Sequence, residues 1–291
     1  MENLTNGILT ISVNAHGAEL QSIKDAQSGH EYFWDANPKF WNRHSPLLFP
    51  IVGGLWNGQY RLNGSVKSLP KHGFLQDGEF ELIEQTADTL RYRIQDNAKT
   101  RRMYPFPFVL EQAFTLKENK VEVKWSVRTT GQEPMPFQIG GHPSFFFGGY
   151  SAGDSLKGFF SFDNPAPESA AVGAGGCVGP HRYKLQMQSN GLLPITDECF
   201  SNDAIILDRD QVHAITLHDV TGKPIVTLHT ESQVTLMWSP YGVEAPFVCI
   251  EPWFGLCDHE GYNDEFAARP YTNCVEPGKI WNGGYTIEIH K

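Results

Sequence analysis

Apolar and polar residues alternate with a period of two along most of the chain. Ile8-Leu9-Thr10-Ile11-Ser12-Val13, Phe80-Glu81-Leu82-Ile83-Glu84 and Leu90-Arg91-Tyr92-Arg93-Ile94 each read as a strand with one buried and one wet face. Phe114-Thr115-Leu116, the turn-like Lys117-Glu118-Asn119-Lys120 and Val121-Glu122-Val123-Lys124-Trp125-Ser126-Val127 predict an antiparallel hairpin. Ala214 to His218, Ile225 to His229, Val234 to Trp238 and Tyr285 to Ile289 carry the pattern to the C-terminus. Helical signals are sparse: Ala166 to Cys177 is rich in glycine and small residues and reads as a loop, and Asp258 to Ala268 reads as a short helix. No Gly/Ser/Pro linker, internal repeat or helical block divides the strands. The prediction is a single all-β domain over residues 1–291, a large antiparallel β-sandwich.

Composition narrows the function classes. Its 40% hydrophobic residues are those of a globular chain, and its 47 Gly and Pro are scattered without a period, which excludes a collagen-like or linker sequence. With 23 Lys+Arg against 33 Asp+Glu and no basic cluster, nucleic acid is not an expected partner. The N-terminus has no basic region leading an apolar stretch, and no segment holds eighteen uninterrupted apolar residues, so the expectation is a cytoplasmic protein that does not engage a membrane. Five cysteines without CxxC spacing fit reduced thiols, not a disulfide framework or a zinc site.

Four segments carry residues that strands do not require: Asn42-Arg43-His44-Ser45-Pro46, Lys71-His72-Gly73-Phe74, Gly140-Gly141-His142-Pro143-Ser144-Phe145 and Cys249-Ile250-Glu251-Pro252-Trp253. Each sets ionisable groups among Gly, Pro and aromatics, where loss of solvent moves a pKa toward neutrality and makes an acid or base effective. Glu251 stands out because it follows the apolar run Phe247-Val248-Cys249-Ile250, where an unpaired carboxylate costs several kcal/mol. Trp253 and Phe145 are candidates for a stacking platform under the C–H face of a sugar, with Arg, His and Asp partners for its hydroxyls. Spacing alone leaves other readings open. His142 and His72 are also residue types that bond buried carbonyls, and Arg43 can simply stack on a ring. No HxH or HExxH spacing suggests a metal, and Gly53-Gly54 precedes neither a helix nor GK[ST], which removes a nucleotide cradle.

Taken in order, these segments resemble the aldose 1-epimerase (galactose mutarotase) family, and within it the branch related to LacX. The resemblance runs from His16-Gly17-Ala18-Glu19-Leu20 through Leu48-Phe49-Pro50-Ile51-Val52-Gly53, His72-Gly73-Phe74, Tyr104-Pro105-Phe106 and Gly141-His142-Pro143 to Ile250-Glu251-Pro252-Trp253. It implies a galactose mutarotase-like β-supersandwich that interconverts the α and β anomers of a free aldohexose without a cofactor or metal. It further implies Glu251 as the base at the anomeric O1, His142 as the acid at ring oxygen O5, and His72, Arg43 and Asp203 as sugar contacts. Two departures matter: the histidine segment reads Gly-His-Pro where the family has Asn-His-Ser, and an Ala-Asn-Arg-Ile segment is missing near Gly53-Gly54-Leu55. Asn202 competes with Asp203 for the acidic sugar contact. The alternatives are a hexose-6-phosphate 1-epimerase, with Arg43, Arg61, Lys71, Arg101 and Arg102 as candidate phosphate ligands, and a non-catalytic sugar-binding protein. The expected partner is a small-molecule sugar, and the expected state is a monomer or homodimer.

Overall fold

A computed structural model describes all residues from Met1 to Lys291. Two large antiparallel sheets face one another. The first has nine strands in the order Leu193–Ile195, Gly158–Phe162, Ala214–His218, Pro224–Thr230, Trp281–Ile289, Lys120–Thr129, Phe108–Lys117, Thr89–Gln95 and Glu81–Gln85. The second runs Val178–Lys184, Glu168–Val172, Ile205–Leu207, Val234–Trp238, Phe247–Phe254, Ile139–Gly141 and Leu47–Leu48, and Ser144–Phe146 adds to it by pairing with Phe247–Phe254. Between the sheets lies a core of 54 buried residues drawn from both chain ends, Leu4 to Ile289. The predicted all-β fold is therefore the one observed, and each alternating segment became a strand. No helix is long and apolar enough to cross a membrane.

Two readings of local structure change. Glu168–Val172 is a strand inside the segment read as a loop, because Ser169 and Ala170 are fully buried in the second sheet and small side chains are what fit there. Between Asp258 and Ala268 only Phe266–Ala268 forms a single 3-10 turn. The α-helix instead spans Ala98–Met103, started by a capping box between Asn97 and Thr100 and too short to show a hydrophobic period.

The strand Phe247–Phe254 organises everything that follows. It is central in the second sheet, and all eight of its residues are buried. Since side chains alternate across a sheet, its residues divide by parity. Val248, Ile250 and Phe254 enter the main core, while Phe247, Cys249, Glu251 and Trp253 project from the opposite face. That outer face holds a second apolar cluster of 11 residues, including Leu48, Ile206, Leu236 and Trp253. Gly140 pairs with Trp253, and a Cβ there would lie 2.7 Å from the indole Cδ1, so glycine lets the ring lie flat across the neighbouring strand.

Candidate active site

Above this outer face the loops enclose a cavity of about 290 Å³. Glu251 and Trp253 rise from the central strand, and His142 comes from the turn joining Ile139–Gly141 to Ser144–Phe146. His72, Arg43 and Asp203 reach in from three separate loops. Six of the seven residues singled out from sequence thus share one cavity. Phe145 does not. Its ring is fully buried in the main core, edge-on to Phe33 at 5.3 Å, because it has the opposite parity to Ser144 on its strand. Phe145 is corrected to a packing residue, and Trp41 and Trp238 are the cavity aromatics in its place.

His142 and Glu251 form a buried pair, Nε2 to Oε1 at 3.2 Å. Loss of solvent raises the Glu251 carboxyl well above its ordinary range, opposed mainly by the charge of Lys71. Burial pushes the His142 imidazole down to about 3. Both shifts favour the neutral forms, which puts the pair's ionisable proton on the Glu251 carboxyl. The resemblance places that proton on His142, and a transfer across the 3.2 Å contact separates the two arrangements. Glu251 Oε2 has no protein partner, which leaves an acceptor for a ligand hydroxyl.

His72 is fixed by a reciprocal contact with Gly53. Its backbone N–H donates to the Gly53 carbonyl at 2.8 Å, and the Gly53 N–H donates to His72 Nδ1 at 3.1 Å. Nδ1 is an acceptor, so the neutral ring carries its proton on Nε2, and burial holds its pKa well below the usual histidine value. The next residue must be glycine: Gly73 has φ +73°, and a Cβ would stand 2.0 Å from the Phe49 carbonyl oxygen.

The loop carrying Trp41 and Arg43 is tied at three points. Trp34 Nε1 donates to the Trp41 carbonyl at 2.9 Å, Ser144 Oγ donates to the His44 carbonyl at 2.5 Å, and buried Glu19 Oε1 accepts from the N–H groups of His44 and Ser45 at 2.9 and 3.0 Å. Trp41 then stacks on the His142 ring at 4.8 Å. Arg43 donates to the Gln76 carbonyl at 3.0 Å and pairs with Asp77 at 2.5 Å.

Of the other cations weighed from sequence, Arg61 is bound to Asn263, Arg101 pairs with Asp96, and neither they nor Arg102 line the cavity. Lys71 does. Asp203 lines the cavity too, at φ +72°, while Asn202 turns away and donates to the Val172 carbonyl at 3.0 Å. Ligand-type atoms of His142, Cys249 and Glu251 lie within 4.8 Å of one another. Burial raises the Cys249 thiol well above its ordinary value, against the thiolate that a metal requires.

The aldose 1-epimerase family profile matches residues 3–260. The chain belongs to the aldose 1-epimerase family. It is 30% identical over 304 residues to the plasmid-borne protein LacX of Lactococcus lactis subsp. lactis, an alignment covering 98% of both chains. Its structure superposes on a galactose mutarotase related enzyme from Lactobacillus acidophilus with a TM-score of 0.91 at 29% identity, covering 100% of this chain and 97% of that one. A galactose mutarotase-like protein from Lactobacillus casei superposes with a TM-score of 0.92 at 25% identity, covering 100% of each chain. The chain is thus an isomerase of the mutarotase kind, on the galactose mutarotase-like fold.

Sequence reasoning missed part of this epimerase's cavity. Trp41 and Trp238 close over His142, and Asn42 and Gln76 add amide groups to the wall. Trp238 ends a strand beside Phe247–Phe254 and read only as an alternating strand residue. Trp41 and Asn42 sit beside Arg43, so the signal was adjacency to a candidate. For Gln76 there was none.

Proposed function

We propose that this epimerase interconverts the α and β anomers of a free aldohexose. The observation that carries this reading is the buried His142–Glu251 pair at the base of the cavity, Nε2 to Oε1 at 3.2 Å. With the shared proton on His142, Glu251 takes the proton from the O1 hydroxyl while His142 protonates O5, and the C1–O5 bond opens. Rotation about C1–C2 presents the other face of the aldehyde, and reversal of both transfers closes the ring as the opposite anomer. Only protons move, so no cofactor enters a step. Each positioned acid or base contributes about 10²–10⁴-fold.

His72 Nε2–H, Arg43 and Asp203 are the proposed hydroxyl partners, and Trp253 the apolar platform. A free sugar is favoured over a hexose 6-phosphate because Lys71 is the one cation in the cavity without a partner: Arg43 is committed to Asp77, and the Asp203 carboxylate lines the same space. Five unpaired cysteines, three of them buried, support a cytoplasmic setting, and one core drawing on both chain ends supports one domain over residues 1–291.

The test is polarimetry or saturation-transfer NMR on freshly dissolved glucose, galactose and glucose 6-phosphate, with wild-type protein and Glu251→Gln. Faster exchange of a free sugar, lost in the variant, is the expected result. Acceleration confined to the phosphate ester would overturn the substrate assignment.

A further inference from the structure

The cavity of this epimerase has an uneven distribution of charge. Two carboxyl groups, Glu251 and Asp203, line it, and both histidines in it are held neutral by burial. Arg43 is the one guanidinium, and its charge is answered by Asp77 at 2.5 Å. Lys71 lines the same space, and its ammonium forms no hydrogen bond or ion pair with any residue. Its backbone is not free to wander, because the next residue, His72, is clamped to Gly53 through both its N–H and its ring. An anchored lysine with an uncommitted, solvent-exposed side chain thus lines the cavity that holds the buried pair. It shares the cavity wall with Glu251, His142 and His72.

Ring opening creates a need for such a charge. The O1–H bond breaks as its proton passes to Glu251. The electron pair left on O1 becomes the C1=O1 π bond as C1–O5 breaks, and the pair released on O5 takes the proton from His142. Wherever proton removal runs ahead of C–O cleavage, Glu251 is neutralised and O1 carries alkoxide character in a cavity whose one guanidinium is already paired with Asp77. A preformed cation there stabilises the transition state more than the bound sugar.

We propose that Lys71 is a further catalytic residue, whose ammonium contacts the anomeric oxygen and holds the negative charge that builds there as the ring opens. This role rests on the acid–base epimerase reading given above.

The test uses full-length protein, wild type beside Lys71→Met and Lys71→Arg, on whichever aldose the wild type turns over. Lys71→Met is expected to lower kcat roughly 10-fold, short of the loss for an enclosed oxyanion donor because the side chain is exposed to solvent, with KM within a few fold. Lys71→Arg should recover most of that loss. Since the lysine charge lowers both Glu251 and His142, removing it raises both, and the whole pH–rate profile of Lys71→Met should move to higher pH. That shift reports the lysine charge alone, whereas a loss of kcat at retained KM reports its contact with the anomeric oxygen. Wild-type kcat in a folded Lys71→Met protein, or a loss confined to KM, overturns the Lys71 role and leaves the epimerase reading standing. A wild type that accelerates no aldose brings down both.

Discussion

Trp41 lies stacked on the imidazole of His142, ring centroids 4.8 Å apart and planes within 27°. With Trp238 edge-on at 6.0 Å, it closes the ring off from water. Trp41→Ala is expected to let the His142 pKa climb from about 3 toward its ordinary value, by restoring hydration to the charged form. NMR titration of the His142 ring checks this, and an unmoved pKa would show that the strand environment alone depresses it.

Removing the carboxylate should separate chemistry from binding. Glu251→Gln keeps shape and one carbonyl oxygen but cannot take a proton, so kcat should fall about 10²–10⁴-fold while sugar affinity changes only a few fold. His142→Asn should fall by a similar factor. Because the two residues act as one proton-sharing unit, the double variant should be little worse than either single one, and additive losses in steady-state kinetics would argue that they act separately.

The pH dependence follows from the signs of the two shifts. Glu251 is raised well above the ordinary carboxylate range and His142 lowered to about 3, so between those limits the pair carries one proton. At lower pH a second proton removes the base, and at higher pH loss of the only proton removes the acid. Activity should form a broad plateau across neutrality, with an acidic limb far below the ordinary histidine value of about 6.5. A pH–rate profile with its acidic limb near that value would contradict the shared-proton picture.

His72 combines a backbone role with a side-chain role, and one substitution separates them. Its φ is +66°, which asparagine tolerates better than most residues. His72→Asn should therefore fold normally while losing the Nε2–H donor, raising KM and lowering kcat together. Without the Nδ1 acceptor for the Gly53 N–H, a modest drop in melting temperature is also expected.

Glu19 does not line the cavity, yet it holds the loop that bears Trp41. Glu19→Ala strips the acceptor from two N–H groups, His44 and Ser45, and should cost roughly 1–3 kcal/mol in urea unfolding, on the scale of buried donors left unpaired. Full stability in that variant would mean that Trp34 and Ser144 suffice to anchor the loop.

Much of this was legible in the sequence because strands announce themselves by alternation, and nearly every predicted strand lies where the pattern put it. Glu251 was legible for a related reason: a carboxylate ending an apolar run needs an explanation. Phe145 was misjudged because its neighbours pointed to the site while its parity pointed to the core, and parity is settled only by knowing which face of that short strand the turn at Pro143 presents. The loop partners were hidden for another reason. Glu19 and His44 are 25 residues apart, and Arg43 and Gln76 are 33 apart, with nothing local to link them. The charge state of the central pair was equally out of reach, since it depends on how completely the two side chains are enclosed.

The alternation along Phe247–Phe254 has a consequence for how this protein tolerates change. One strand supplies Val248, Ile250 and Phe254 to the inter-sheet core and Glu251 and Trp253 to the chemistry, in strict succession. Inserting or deleting a single residue here would aim the carboxylate at hydrocarbon and send isoleucine and valine toward the sugar, abolishing fold and turnover in one stroke. Lineages descended from such a chain are free to lengthen the loops around the cavity and so alter what enters it. The spacing of this segment is the part they must inherit unaltered.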